Sequence, residues 1–447
     1  MHFTVRSRAA VTTVLSSSLG KRHLSMSRAR TSPITTFSIN GDRLWNDIHH
    51  TAQFSAPSPG GVTRLCADDN DKKVRDWFRD QVLALGADYK VNATGTQFAL
   101  IQGTDNTIPP IAMGSHFDTV ATGGKFDGPL GVLCALEVLR SFREQNIKTR
   151  APLVAINWTN EEGARFFPPL GSSQVYAGQS TITAAHASYS NDGSPETMGS
   201  ELERIGYVGS GPNTFEEFPI SAHFEVHVEQ QSSLERADKP VGWVEGWEGM
   251  TWYEVVFHGA DGHANTAAMH GRKDSVQGAA KFMTSIETLA HDMHGRSTVT
   301  AIESGPVGAC NIQSRTKVVF CLMHADAEGL LEMGRRAEAL AKTAASIHGL
   351  GHAMSRTLHL LPGDFTPEAV DCVARACGEK GVGARTLTGH DSLETLLVAP
   401  TAMVFVRSKD GVSHSAKEWS DKDDCAEGAL VLGKSVLNFD EYLLRRK

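Results

Sequence analysis

The sequence predicts an α/β fold: a larger domain made of two chain segments, roughly 42–248 and 365–447, with a smaller α+β domain, about 249–364, inserted between them. Three observations predict it. From about residue 42, short apolar runs alternate with stretches of helical periodicity, as strands covered by helices do. Mid-chain the order becomes strand, helix, strand, strand, helix, strand, the split βαβ pattern of a small α+β unit. Past residue 365 the first style returns.

Taken in order, residues 1–41 stand apart. Residues 1–40 hold Arg6, Arg8, Lys21, Arg22, Arg28 and Arg30, eight serines and no acid. That is the composition of a mitochondrial presequence, which we expect here, with the cytosol as the location if the segment is only a tail. Pro109–Gly114 and Ala151–Trp158 read as buried strands, and Gly131–Arg140 between them as a helix with an apolar side. Residues 186–214, rich in Ser, Gly, Asn and Pro, read as a surface excursion. In the inserted unit, Thr251–Phe257, 298–303, 317–323 and Met354–Leu361 read as strands, and 271–293 and 326–347 as helices. Helix 366–379, strand Thr401–Val406 and helix 424–438 complete the chain.

Composition narrows the function. With 447 residues the chain is long enough for two or three domains. The 51 acids outnumber 43 basic residues, against a nucleic-acid binder. No apolar run reaches the roughly 18 residues of a membrane-spanning helix. The seven cysteines form no Cys-x-x-Cys and are odd in number, which argues against a disulfide scaffold or thiolate zinc and suits a reducing compartment.

The chemistry lies in clusters that follow strands, where open α/β sheets place ligand sites. In the first, His116 directly follows a strand, Asp118 two residues on can take the proton of the ring nitrogen not used for a metal, and Asp127 follows in a glycine-rich turn. In the second, Glu161 and Glu162 are adjacent acids that gain nothing structural by proximity. They make sense if one binds a cation while the other handles the water that cation activates. In the third, His223, Glu225, His227 and Glu229 alternate on one strand face, an odd set to bury without a metal. His414 lies beyond the last strand. These oxygen and nitrogen donors suit two Zn²⁺, or Mn²⁺ or Co²⁺, about 3.5–4 Å apart.

The segments GSHFDTVATGGKFDGPLGV, NEEGARF, HFEVHVEQ, HGADGHANTAAMHGRKDS, GHDS and PTAMVFVRSKDGVSHS occur in an order that resembles the carbamoylase subgroup of the dinuclear zinc amidohydrolases, over nearly all of 42–447. That subgroup holds N-carbamoyl-L-amino acid hydrolases, yeast-type β-ureidopropionase and allantoate amidohydrolase. The resemblance implies a zinc-exopeptidase-like domain with an inserted ferredoxin-like domain that dimerises the enzyme and acts as a lid. It implies two divalent ions per subunit, Zn²⁺ foremost with Mn²⁺, Co²⁺ or Ni²⁺ as substitutes, a small carboxylate substrate and a homodimer. It implies metal ligands His116, Asp127 as bridge, Glu162, His227 and His414, with Asp118 orienting His116 and Glu161 as general base. Gln230 and Asn311 would contact substrate, and His263 would steady the oxyanion.

Departures sit in the substrate set. The Arg that clamps the substrate carboxylate in the family is missing from Phe320–Asp326. Arg407, standing where relatives have Pro, is expected to replace it, with Arg315 and Lys317 as the next cations. The reading is a hydrolase of an N-carbamoyl amino acid or ureido acid. The alternatives are a dipeptidase or N-acyl-amino acid deacylase on the same centre, and a metal-binding homologue without activity.

Overall fold

The computed structural model describes residues 37–56 and 60–445, so nearly all of the expected presequence lies outside the described residues. The first segment forms β1 (Asp88–Val91), β2 (Gln97–Ile101), β3 (Ile111–His116), β4 (Leu153–Trp158), β5 (Ala222–Val228) and β6 (Val241–Trp247). Then come β7 (Gly249–His258), β8 (Gly262–His263), β9 (Arg296–Gly305), β10 (Asn311–Ile312), β11 (Arg315–His324) and β12 (Gly351–Leu360). The chain ends with β13 (Gly363–Asp364), β14 (Gly381–Thr386) and β15 (Thr401–Val406).

One mixed sheet has the order β1-β2-β4-β3-β5-β15-β6-β13, with β14 also beside β6. Its four central strands, β4, β3, β5 and β15, run parallel, and every residue in them is buried. Strands covered on both faces lose the alternation of half-buried ones, which is why β3, β4 and β15 read as largely apolar runs, while β5 alternates because it carries His223, Glu225 and His227. Parallel strands share a carboxyl edge, so the segments after His116, Trp158, Val228 and Val406 meet there. The close approach of β3 and β4 depends on Gly114, where a Cβ would fall 2.0 Å from the Ile156 carbonyl oxygen.

Helix Pro129–Glu144 begins earlier than expected because Pro129 occupies its first turn, where no N–H partner is needed. It packs with helix Lys422–Arg445 on the sheet, where Leu133, Val226, Val404 and Leu432 share one core. The inserted pattern folds as an antiparallel sheet of order β12-β7-β11-β9. Helices Ser275–Asp292 and Ala327–Ile347 cover it through Phe257, Phe282, Phe320 and Met333, a second core. The first starts at 275, not 271, because the Asp274 carboxylate caps it by accepting the Val276 N–H. A two-residue ladder, β8 with β10, sets His263 opposite Asn311.

The 186–214 excursion is not plain loop. It holds helix Met198–Ile205, started by a reciprocal cap between Thr197 and Ser200 and stopped by Gly206 at φ 76°. Met198, Leu202 and Ile205 bury against Cys66, Ala67 and Phe166. The turn-forming composition hid a short amphipathic helix whose cap was in the sequence.

Candidate metal centre

Asp127 is the hub at the carboxyl edge of the parallel strands. Its Oδ1 lies 3.1 Å from His227 Nε2 and its Oδ2 3.3 Å from His414 Nε2. Glu162 Oε2 is also 3.3 Å from His414 Nε2. His116, Asp127 and His227 form one group that could hold a cation, and Asp127, Glu162 and His414 a second, so the two groups share one carboxylate.

Each ring is aimed from behind. His116 Nδ1 donates to the Asp118 carbonyl oxygen at 2.8 Å and His227 Nδ1 to the Val228 carbonyl at 2.8 Å, so both Nε2 atoms face inward. This corrects the expected role of Asp118: its main-chain oxygen orients His116, while the carboxylate accepts the N–H groups of Glu161 and Glu162 at 3.3 Å. Asp118 thereby holds the turn that carries both acids. Gly128, at φ 81°, leaves room for the ring, since a Cβ there would lie 2.2 Å from His116 Cε1.

The electrostatics point to cations. Against burial, which works the other way, the His227 and His414 rings hold the Asp127 carboxyl well below its usual range. Its carboxylate lifts His227 to about 9 even though burial opposes this, and Asp127 with Glu162 lifts His414 to about 11. The carboxylates therefore demand positive charge at two points. His116, lowered to about 4 by burial, stays neutral as a ligand must. Its Nε2 and Glu162 Oε1 are buried without a hydrogen-bond partner. Two groups, one with two histidines and a carboxylate and the other with one histidine and two carboxylates, each with an orphaned inward atom, fit divalent ions.

Glu161 is buried, with Oε2 3.5 Å from His116 Nε2. Burial, then the charge of Glu162 and Asp391, pushes its carboxyl well above the usual range. Gln230 donates from Nε2 to Asp127 Oδ2 at 3.0 Å and to Ser413 Oγ at 3.2 Å, while its buried Oε1 has no partner. Asn160, Gln230 and His414 all take left-handed φ, between 50° and 60°, so backbone strain gathers where the acids and rings converge.

Other expectations fare differently. His263 and Asn311 are exposed on their ladder, and no hydrogen bond or ion pair among the described residues joins them to the cluster. Arg407 is not a free clamp: its Nε meets Asp424 at 2.8 Å and its Nη1 meets Asp238 at 3.2 Å, so the donor fork is already spent. On β5 only His227 joins the two cation groups built on Asp127. His223 Nδ1 bonds Thr395, Glu225 accepts from Ser115 and Ser392, and Glu229 accepts the first N–H groups of helix Ser233–Arg236, so hydroxyls and N–H groups meet most of that face, with His223 Nε2 left unpartnered. Sequence reasoning missed His390, whose ring stands edge-on to His227 at 4.3 Å. It follows β14 as His414 follows β15, and reading β14 as a strand would have exposed it. Glu418 was missed too, and a lone acid in a polar loop gives no signal.

The sequence signature of peptidase family M20/M25/M40 spans residues 112–438. The chain belongs to this family. M20/M25/M40 proteins are metal-dependent hydrolases, in accord with the donor set. An N-carbamoyl-L-amino-acid amidohydrolase of Rhizobium meliloti is 33% identical over 416 residues, 91% of this chain and 98% of that protein. Another, from Geobacillus stearothermophilus, is 31% identical, over 89% of this chain and 98% of that protein. The crystal structure of a hydantoinase/carbamoylase family amidase from Burkholderia multivorans superposes with a TM-score of 0.81 at 34% identity, covering 90% of this chain and 98% of that one.

Proposed function

We propose that the protein hydrolyses the linear C–N bond of an N-carbamoyl amino acid or ureido acid, releasing amino acid, carbon dioxide and ammonia. Asp127 carries this reading: one carboxylate divides its oxygens between two histidines, with Glu161 left over beside them. The N-carbamoyl-L-amino-acid amidohydrolases that match over nearly the whole chain supply the substrate class.

We assign one divalent ion to His116, Asp127 and His227 and a second to Asp127, Glu162 and His414, with Zn²⁺ best suited to the donors and Mn²⁺, Co²⁺ or Ni²⁺ able to substitute. Such ions supply an acidified water and countercharge for the carbonyl oxygen. Glu161, not needed as a ligand, takes the proton of the attacking water and returns it to the departing nitrogen. The unpartnered Gln230 Oε1 accepts from the carbamoyl N–H. His263 donates to the oxyanion once its ladder is brought to the cluster, which in a homodimer is the partner's task. Of the cations beside Asn311, Lys317 is paired with Glu303 and Glu254, which leaves Arg315 for the substrate carboxylate.

The test is a substrate panel with metal-loaded protein: N-carbamoyl-L-amino acids, N-carbamoyl-β-alanine and allantoate, beside dipeptides and N-acetyl amino acids. Ammonia release from the ureido compounds is expected. Cleavage confined to dipeptides or N-acetyl amino acids would overturn the reading in favour of a peptidase or deacylase, and inertness toward all would leave a binding protein.

A further inference from the structure

Glu418 lies in the loop between His414 and helix Lys422–Arg445, almost fully buried, and touches no group that the proposed chemistry uses directly. Its Oε1 accepts the main-chain N–H of Phe126 and of Asp127, both at 3.0 Å. Its Oε2 is 2.9 Å from Ser413 Oγ, which is also 2.9 Å from Asp127 Oδ2. One carboxylate thus fastens the turn that presents Asp127 to the loop that presents His414. The neighbouring Trp419 repeats the fastening in apolar terms, with its ring 5.8 Å from Phe126 and the Lys125 ammonium 5.6 Å from its centre.

The turn is shaped to receive this acid. A Cβ at Gly124 would fall 1.9 Å from Glu418 Oε1 and 2.1 Å from its Cδ. His414 needs such support, because its side chain is 54% exposed and its backbone sits at φ 50°, unfavourable for a residue with a Cβ. Ser413 and Asp127 are 286 positions apart in sequence, so chain connectivity does nothing to keep their loops in register.

We infer that Glu418 is a positioning residue that sets the Asp127 turn and the His414 loop at the spacing two cations require. The inference rests on the metal centre proposed above. Loss of a group that orients ligands from behind typically weakens metal binding about 10- to 100-fold. The cation between Asp127 and His414 should suffer most, since those are the two elements Glu418 joins.

The experiment measures Zn²⁺ affinity of the full chain by competition with a chromophoric chelator, and records the visible spectrum of the Co²⁺-loaded protein. Glu418→Ala should bind the weaker of two ions about 10- to 100-fold less tightly and alter the Co²⁺ bands. Glu418→Gln keeps an oxygen for the Phe126 and Asp127 N–H groups and should stay within about fivefold of the parent. Gly124→Ala, which displaces Glu418 without touching a ligand, should shift affinity in the same direction as Glu418→Ala and decides the matter if Glu418→Ala does not fold. Parental affinity and spectrum in the folded variants, with only thermal stability reduced, would reduce Glu418 to a packing role and overturn the inference. A parent chain that binds no metal would instead overturn the metal centre itself.

Discussion

The Asp127 cluster and the His263–Asn311 ladder are the two halves of the expected site, and they are built in opposite ways. The first lies at the ends of four fully buried strands, its His116 and His227 rings aimed by main-chain carbonyls, and only His414 reaches well into solvent. The second is a two-residue ladder, both of its polar members exposed, flanked by Met269 at 76% and Val307 at 88% exposure. Where cations must be held, geometry is fixed before anything binds. His263 and Asn311, for which substrate contact is proposed, stand apart from that cluster and are proposed to act on closure or on contact with another subunit.

Three substitutions would break or sharpen this contrast. The largest effect belongs to the rigid half: Glu161→Gln should lower kcat about 10²- to 10⁴-fold while bound metal, measured by elemental analysis, stays at the parental level. Loss of metal in that variant would make Glu161 a ligand and dissolve the division of labour with Glu162. His263→Ala, in the exposed half, should cost about 10²- to 10³-fold in turnover with KM and metal content little changed. Co-expressed with Glu161→Gln chains, it should recover activity in mixed dimers, and no recovery would mean that His263 serves its own subunit or is dispensable. The smallest effect is expected at Arg407. Because its guanidinium is engaged by Asp424 and Asp238, Arg407→Ala should leave KM for an anionic substrate within about twofold. It should cost about 1 kcal/mol in denaturant unfolding, as a partly exposed ion pair does. A tenfold rise in KM would restore the clamp.

The same contrast explains what could be read from the sequence. Strands β3, β4 and β15 were legible because burial on both faces makes them largely apolar runs, and β5 because its polar residues alternate; His116, Glu162 and His414 stood out as candidates because they lie at or beyond the ends of such strands. Asp118 meets the His116 ring through its main-chain oxygen and not through the carboxylate expected, since sequence cannot say which of the two meets a ring. Arg407 failed for a related reason: Asp238 and Asp424 are brought to it by the fold, from 169 residues before and 17 after. Helix Met198–Ile205 was hidden by the turn-forming residues around it. Glu418 had no local signature at all, because its role exists only between loops that the chain joins at long range.

The position of β15 bears on how the protein is made. It is the last strand in chain order, yet it is seated between β5 and β6, with His414 a few residues beyond it. On a ribosome, His116, Asp127, Glu162 and His227 would all emerge while the slot between β5 and β6 stood empty, an open pair of strand edges in the middle of the sheet. Neither the sheet nor the second proposed cation group can be finished until residues 401–414 have been synthesised. A truncated product would therefore expose unpaired edges in place of a half-working enzyme, and would present itself to chaperones and proteases rather than to substrate.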